Sequence, residues 1–187
     1  IKYRGSAARI YFALKEMPEI IGIKEHQMSS VFTIHPSMEY LEKAYDDAKY
    51  GRISKNPYIE FSIPSIQNHN FAPEGNHVLS ATIQYVPYNL RNNKWNIDLK
   101  ENLINKIISI LQKYIPKFTD IVEFSTILTP VDLEYLLGIT EGNINHGEMT
   151  LDQFFIMRPT MSSAQYNTPL TNLFLCGPGT HPGGGIH

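Results

Sequence analysis

The residues best suited to chemistry crowd the end of the chain. Asn172-Leu173-Phe174-Leu175-Cys176 reads as a short apolar strand, and it runs into Gly177-Pro178-Gly179-Thr180-His181-Pro182-Gly183-Gly184-Gly185-Ile186. Glycine has no Cβ, so backbone in such a run can approach a bulky partner closely. A helix starting after Gly185 would add unpaired amides and the positive end of its dipole, both favouring an electron-rich group. The plainer alternative is a glycine-rich turn with no ligand. His181 in this run can act as an acid or base, or it can hydrogen-bond to shape the loop.

A second set lies upstream. His146 sits in Asn145-His146-Gly147-Glu148, and Gln153 and Arg158 follow at loop spacing. The planar fork of Arg158 suits either a substrate or the carbonyls of the glycine run. Gln153 can bond to substrate or to backbone. Glu148 and Asp152 are placed to cap a short helix after Thr150.

Other chemistries find no support in the spacing. The seven histidines show no His-Glu-x-x-His or other tight ligand pattern, which argues against a metal site. His69 and His77 lie in or beside a turn-rich loop. No Gly-x-Ser-x-Gly elbow occurs. The single cysteine, Cys176, rules out a Cys-x-x-Cys centre and reads as packing at the end of a buried strand. It fits the cytoplasm or another reducing compartment, organelles included. A net charge of −2 with no basic run argues against a nucleic-acid partner. The sequence has no apolar run of about 18 residues, hence no integral membrane segment of helical type. It opens at Ile1 without a leader-like stretch and stops after a glycine turn, so it reads as part of a longer chain.

The elements that must position these residues follow from periodicity. Residues 8–14, 30–34, 58–63, 76–86 and 121–128 read as strands. In 76–86, Leu79, Ala81, Ile83 and Tyr85 share one apolar face, as a long central strand would. Residues 38–50 form an amphipathic helix behind the N-cap Ser37, and Gly51 stops it. Residues 98–115 form the clearest helix, capped by Asp98, striped by Leu99, Leu103, Ile107, Ile110, Leu111 and Tyr114, and ended by Pro116. Pro130 opens a last short helix that Gly138 ends. The order predicts an α+β fold, a mixed and mainly antiparallel sheet with helices on one face. From about residue 143 the chain should leave the sheet, dividing it into 1–142 and 143–187. Tyr3, Tyr11, Phe12, Tyr85 and Tyr88 read as core, some of them able to line an apolar cavity.

Several of these stretches together resemble the C-terminus of the phytoene-desaturase-like FAD oxidoreductases. They are Gly142-Asn143-Ile144-Asn145-His146-Gly147, Leu151-Asp152-Gln153-Phe154-Phe155, Arg158-Pro159, Tyr166-Asn167-Thr168-Pro169, and Leu173 to Gly185. Tyr3-Arg4-Gly5-Ser6-Ala7-Ala8-Arg9-Ile10 is similar to the segment that opens a late strand of that family's substrate domain. The resemblance implies a two-domain flavoprotein, with 1–142 part of the substrate domain and 143–187 returning to the FAD-binding domain. It implies an apolar small-molecule substrate that is oxidised or desaturated by hydride transfer to the flavin. Gly177, Gly179, His181, Pro182, Gly183, Gly184 and Ile186 would touch the cofactor. His146, Gln153 and Arg158 would border the substrate, and His146 and His181 are the candidate catalytic groups. The Gly-x-Gly-x-x-Gly unit that binds the FAD pyrophosphate in such proteins is absent from this sequence. The chain alone is therefore expected to carry no flavin and to be inactive. The alternative is a non-catalytic binding or interaction module that keeps the same fold. In either case 143–159 and 177–187 should expose apolar surface, partly disordered or covered by self-association with a neighbouring copy.

Overall fold

The computed structural model describes residues 1–184. Ile186, one of the candidate cofactor contacts, lies outside them.

Alternation builds the sheet. In β1 (Ala7–Leu14), Ala8, Ile10, Phe12 and Leu14 are buried, while Tyr11 on the opposite side is exposed. Successive side chains of a strand point to opposite faces, so a period of two places one apolar set on the core. The same rule buries Ile59 and Phe61 of β3 (Tyr58–Ser62) and Leu79, Ala81 and Ile83 of β4 (His77–Gln84). β2 (Phe32–Ile34) and β5 (Val122–Leu128) form the edges, giving the order β2-β3-β4-β1-β5. All four pairings are antiparallel. The apolar strand around Leu79 is the central one, as its pattern requires.

Helices cover the apolar face. In α2 (Ile97–Leu111), Leu103, Ile107, Ile110 and Leu111 join the strand residues in one core cluster. Phe118 of the short α3 (Phe118–Ile121) meets Phe12 edge-on, with ring centroids 5.1 Å apart. α1 (Met38–Lys49) follows Ser37, whose hydroxyl accepts from the Tyr40 amide. It is tied to the body by the Tyr40 hydroxyl, which donates to the Pro57 carbonyl. α4 (Pro130–Leu137) begins with a capping box of Thr129 and Asp132 and ends at Gly138, with φ of 68°.

Three expectations change. The cap of α2 is Asn96, whose Oδ1 accepts from the Leu99 amide at 2.9 Å; Asp98 falls in the first turn. Both residue types suit a helix start, and the one just before the first helical residue takes the cap. α2 ends at Leu111, so Tyr114 leaves the stripe and is 40% exposed. The expected strand at Asn172–Cys176 is absent. Its sole pairing is an isolated bridge between Asn167 and Phe174; Leu173, Phe174 and Cys176 are exposed. A strand needs a neighbour to pair its backbone and bury its face, and the described residues supply only that one bridge. Cys176 is therefore not a packing residue here.

Candidate functional site

Beyond α4 the chain runs as single tight turns at Thr140–Gly142, Leu151–Gln153, Phe155–Met157 and Met161–Tyr166. Polar contacts to the lead-in of β1 hold these turns in place. The Gln153 side-chain amide accepts from the Lys2 amide at 2.7 Å and donates to the Lys2 carbonyl at 2.8 Å and the Glu148 carbonyl at 3.1 Å. It pairs with Lys2 much as a neighbouring strand would, and it is buried. The Glu148 amide donates to the same Lys2 carbonyl at 2.9 Å, and Asn143 Nδ2 donates to the Tyr3 carbonyl. The Glu148 carboxylate pairs with Arg4 instead of capping a helix. That hydrogen bond raises the Arg4 pKa above its ordinary value.

Arg158 is the hub. It is only 3% exposed. Its Nη1 donates to the Pro178 carbonyl at 3.0 Å and the Asn145 carbonyl at 3.2 Å, and touches the Met149 sulfur at 3.4 Å. Its Nη2 donates to the Glu148 carbonyl at 3.2 Å. One guanidinium thus fastens the His146 loop to the glycine run. Burial lowers its pKa, and none of the ion pairs among the described residues includes it.

A cleft of about 430 Å³ opens over this hub. His146, Gln153, Arg158 and Gly179 line it together with Tyr3, Ile139 and Met157. Three residues singled out as bordering a substrate therefore share one cavity. The His146 backbone is left-handed, with φ of 53°, a conformation that is uncommon outside glycine and asparagine.

The glycine tail packs on its own chain as far as it is described. Thr180 and Gly183 are buried, and the Phe155 amide donates to the Pro182 carbonyl at 2.9 Å. The side-chain space of two glycines is already filled. A Cβ on Gly183 would lie 2.7 Å from the Phe154 ring, and one on Gly184 would lie 2.3 Å from Asn145 Oδ1. Glycine at these positions serves internal packing, a role that spacing alone did not reveal. Exposed apolar surface is nonetheless present: Leu151 is 94% exposed and Phe155 and Ile156 are both 58% exposed. His181 stands between the rings of Phe155 and Tyr166, at 6.3 and 6.0 Å. Its buried Nδ1 has no partner among the described residues, which sets it apart from a loop-shaping histidine bonded through that atom.

These features bear on whether the tail can face a flavin ring. Among the described residues the Gly184 amide finds only the Met149 sulfur, a weak acceptor, at 3.3 Å. An electron-rich ring edge would satisfy that amide better than a thioether does, whereas the histidine nitrogen is closed off within the chain. The tail residues fit such a group through the Gly184 backbone and the part of His181 that stays exposed. They do not fit it through the empty side-chain positions of Gly183 and Gly184.

Over 147 residues, 78% of its length, the chain is 43% identical to pyridine nucleotide-disulfide oxidoreductase domain-containing protein 2 of Rattus norvegicus. The Mus musculus protein of the same name matches to the same extent. The chain is similar to this family over most of its own length. It spans about a quarter of the length of these two relatives. A more distant relative, a 4,4'-diapolycopen-4-al dehydrogenase from Metabacillus indicus, is 27% identical over 182 residues, covering 97% of this chain and 34% of that protein. No family model matches the chain. Among the described residues no helix is long and apolar enough to cross a membrane, and no group of three or more His, Cys, Asp or Glu could hold a metal ion.

Sequence reasoning picked out His146, Gln153 and Arg158, and Tyr3 as one of the aromatics able to line a cavity, but missed Asn143, Asn145 and the role of the Tyr3 carbonyl. The two asparagines lie inside the stretch that carries the resemblance, so the segment was flagged while their contacts were not. Tyr3 contributes a carbonyl and a wall, and side-chain chemistry gives no signal for a carbonyl.

Proposed function

We propose that this chain is the C-terminal part of an FAD-dependent oxidoreductase that oxidises or desaturates an apolar small molecule. Residues 1–142 supply part of its substrate domain, and residues 143–187 return to its FAD-binding domain. The observation that carries the reading is the Gly184 amide, whose one acceptor among the described residues is the Met149 sulfur, beside the half-buried His181 in a chain similar to these oxidoreductases. The relatives' names, an oxidoreductase domain-containing protein and a dehydrogenase, agree in reaction class. When bound, the flavin would supply the hydride acceptor, chemistry that no side chain can provide.

The chain's own residues position and exclude. Arg158 locks the Asn145, Glu148 and Pro178 carbonyls into one rigid piece, so the His146 loop and the tail hold a fixed separation. Phe155 and Tyr166 flank His181 and fix the orientation of its ring. His146 and Gln153 border the cleft where the reacting end of a substrate would lie. His181 is the candidate to hold a proton or donate a hydrogen bond at the ring edge.

The test is the flavin content of a family-length protein carrying this sequence. It should leave gel filtration yellow, and a polyene aldehyde added without oxygen should bleach it. This chain alone should emerge colourless. A colourless family-length protein would overturn the proposal. In the same protein, His181→Ala should loosen flavin without unfolding; full flavin affinity in a folded variant would remove that histidine from the cofactor site.

A further inference from the structure

Resting on the reading of the cleft as the substrate side, we infer that it recognises the carboxylate end of an apolar molecule, with Arg158 as the cation that meets it. Three observations converge. Arg158 is a buried guanidinium that bonds to backbone carbonyls and a thioether, and no carboxylate of the described chain neutralises it. A buried charge without a counter-charge is costly, and an anion entering beside it recovers that cost. Its Nε–H and one Nη2–H have no acceptor among the described residues, and it borders the cleft. A guanidinium edge with spare donors matches the two oxygens of a carboxylate.

The remaining walls set the rest of the ligand. Ile1, Leu137, Ile139, Met157 and Pro159 are apolar and line the same space. Glu148, the nearest acidic residue to the hub by its backbone, turns its carboxylate to Arg4 and so leaves the cleft without a competing anion. The volume of about 430 Å³ suits the end of a long molecule, at the lower range of small-molecule sites. An acid fits this arrangement, and so does an aldehyde on its way to an acid. An alcohol or hydrocarbon of the same length lacks the charge.

The experiment is calorimetric titration of the family-length protein with palmitate and with cetyl alcohol. These probes share chain length and differ at the head. Palmitate should bind at least about tenfold more tightly, the worth of a hydrogen-bonded charge pair. Arg158→Lys keeps a charge but loses the fork, and should erase most of that preference. Ile139→Trp fills the cleft away from the guanidinium and should weaken both probes alike. Equal binding of the two probes by the wild type overturns the anion site, and so does binding of neither. Equal binding is also the result expected if a carboxylate from the rest of the protein already neutralises Arg158. The wild-type comparison needs no variant, so a misfolded Arg158→Lys would not rescue the idea. A protein that holds flavin but treats both probes alike would sink this inference and leave the redox reading standing. One that prefers palmitate but never holds flavin would do the reverse.

Discussion

Residues 7–137 and residues 138–184 are ordered by different means. In the first stretch, strands and helices turn one apolar face inward, and Phe12, Ile10, Leu79, Ile107 and Leu111 are wholly buried. In the second, short turns hang on the buried side chains of Gln153 and Arg158, while Leu151, Phe155 and Ile156 face outward. Apart from Arg4, every non-glycine residue with a positive φ lies in the second stretch: Glu141, His146, Phe155, Gln165, Tyr166 and Asn172. Backbone of that kind persists where surrounding contacts enforce it, and it gathers at functional sites. The comparison teaches that the sheet half supplies stability, while the return segment spends specific polar contacts on holding a site in shape.

The comparison can be broken by substitution. Ile107→Asp places an unpaired carboxylate in the closed core, at a cost of several kcal/mol, on the order of a whole domain's stability. Circular dichroism should show no cooperative melting; a normal melt would mean that the core does not run through α2. Gln153→Ala removes the bonds to Lys2 and Glu148 and leaves the Lys2 amide without that acceptor, while both carbonyls keep a second donor, costing about 1–2 kcal/mol. Hydrogen exchange should accelerate at 1–5 and 145–153 and stay slow in β4. Acceleration throughout would merge the two regions into one.

Smaller effects sharpen the boundary. Thr129→Ala deletes half of the α4 capping box and should cost about 1 kcal/mol in thermal or denaturant melting. The Asp132 carboxyl would be pushed up by burial, but the Lys100 ammonium and the Thr129 donors outweigh this and hold it below its ordinary value. Its stabilisation is therefore complete above about pH 4, where the unfolded carboxyl is also ionised, and is lost as acid protonates the folded group. Asp132→Asn should flatten that part of the acid limb; an unchanged limb would assign the acid sensitivity elsewhere. Leu151→Ser, at a side chain open to solvent, should shift stability by less than about 0.5 kcal/mol. A large loss there would mean that the exposed apolar surface is already covered in solution.

The sheet half was legible because a period of two or of 3.6 records burial directly. Strands β1, β3 and β4 and helices α1, α2 and α4 stand within a few residues of where alternation and caps put them. Asn96 took the cap from Asp98 because the two residue types compete nearly equally for a helix start. The tail was legible in composition and not in conformation. An apolar run such as Leu173-Phe174-Leu175 looks like a strand whether or not a partner strand exists, and here none does beyond one bridge. Glycines flagged a close approach, yet Phe154 and Asn145 of the same chain make it, and no spacing rule pairs residues so far apart in sequence. Arg158 was left open between loop carbonyls and substrate. The structure shows it bonded to the Pro178, Asn145 and Glu148 carbonyls.

The central claim is that the return segment is where a flavin meets this chain. Hydrogen exchange on the family-length protein, first stripped of flavin and then loaded with FAD, tests it without altering a residue. FAD should slow exchange at 145–158 and 177–184 and leave β4 and α2 unchanged. Protection that appears elsewhere in the protein and bypasses both of those segments would contradict the account.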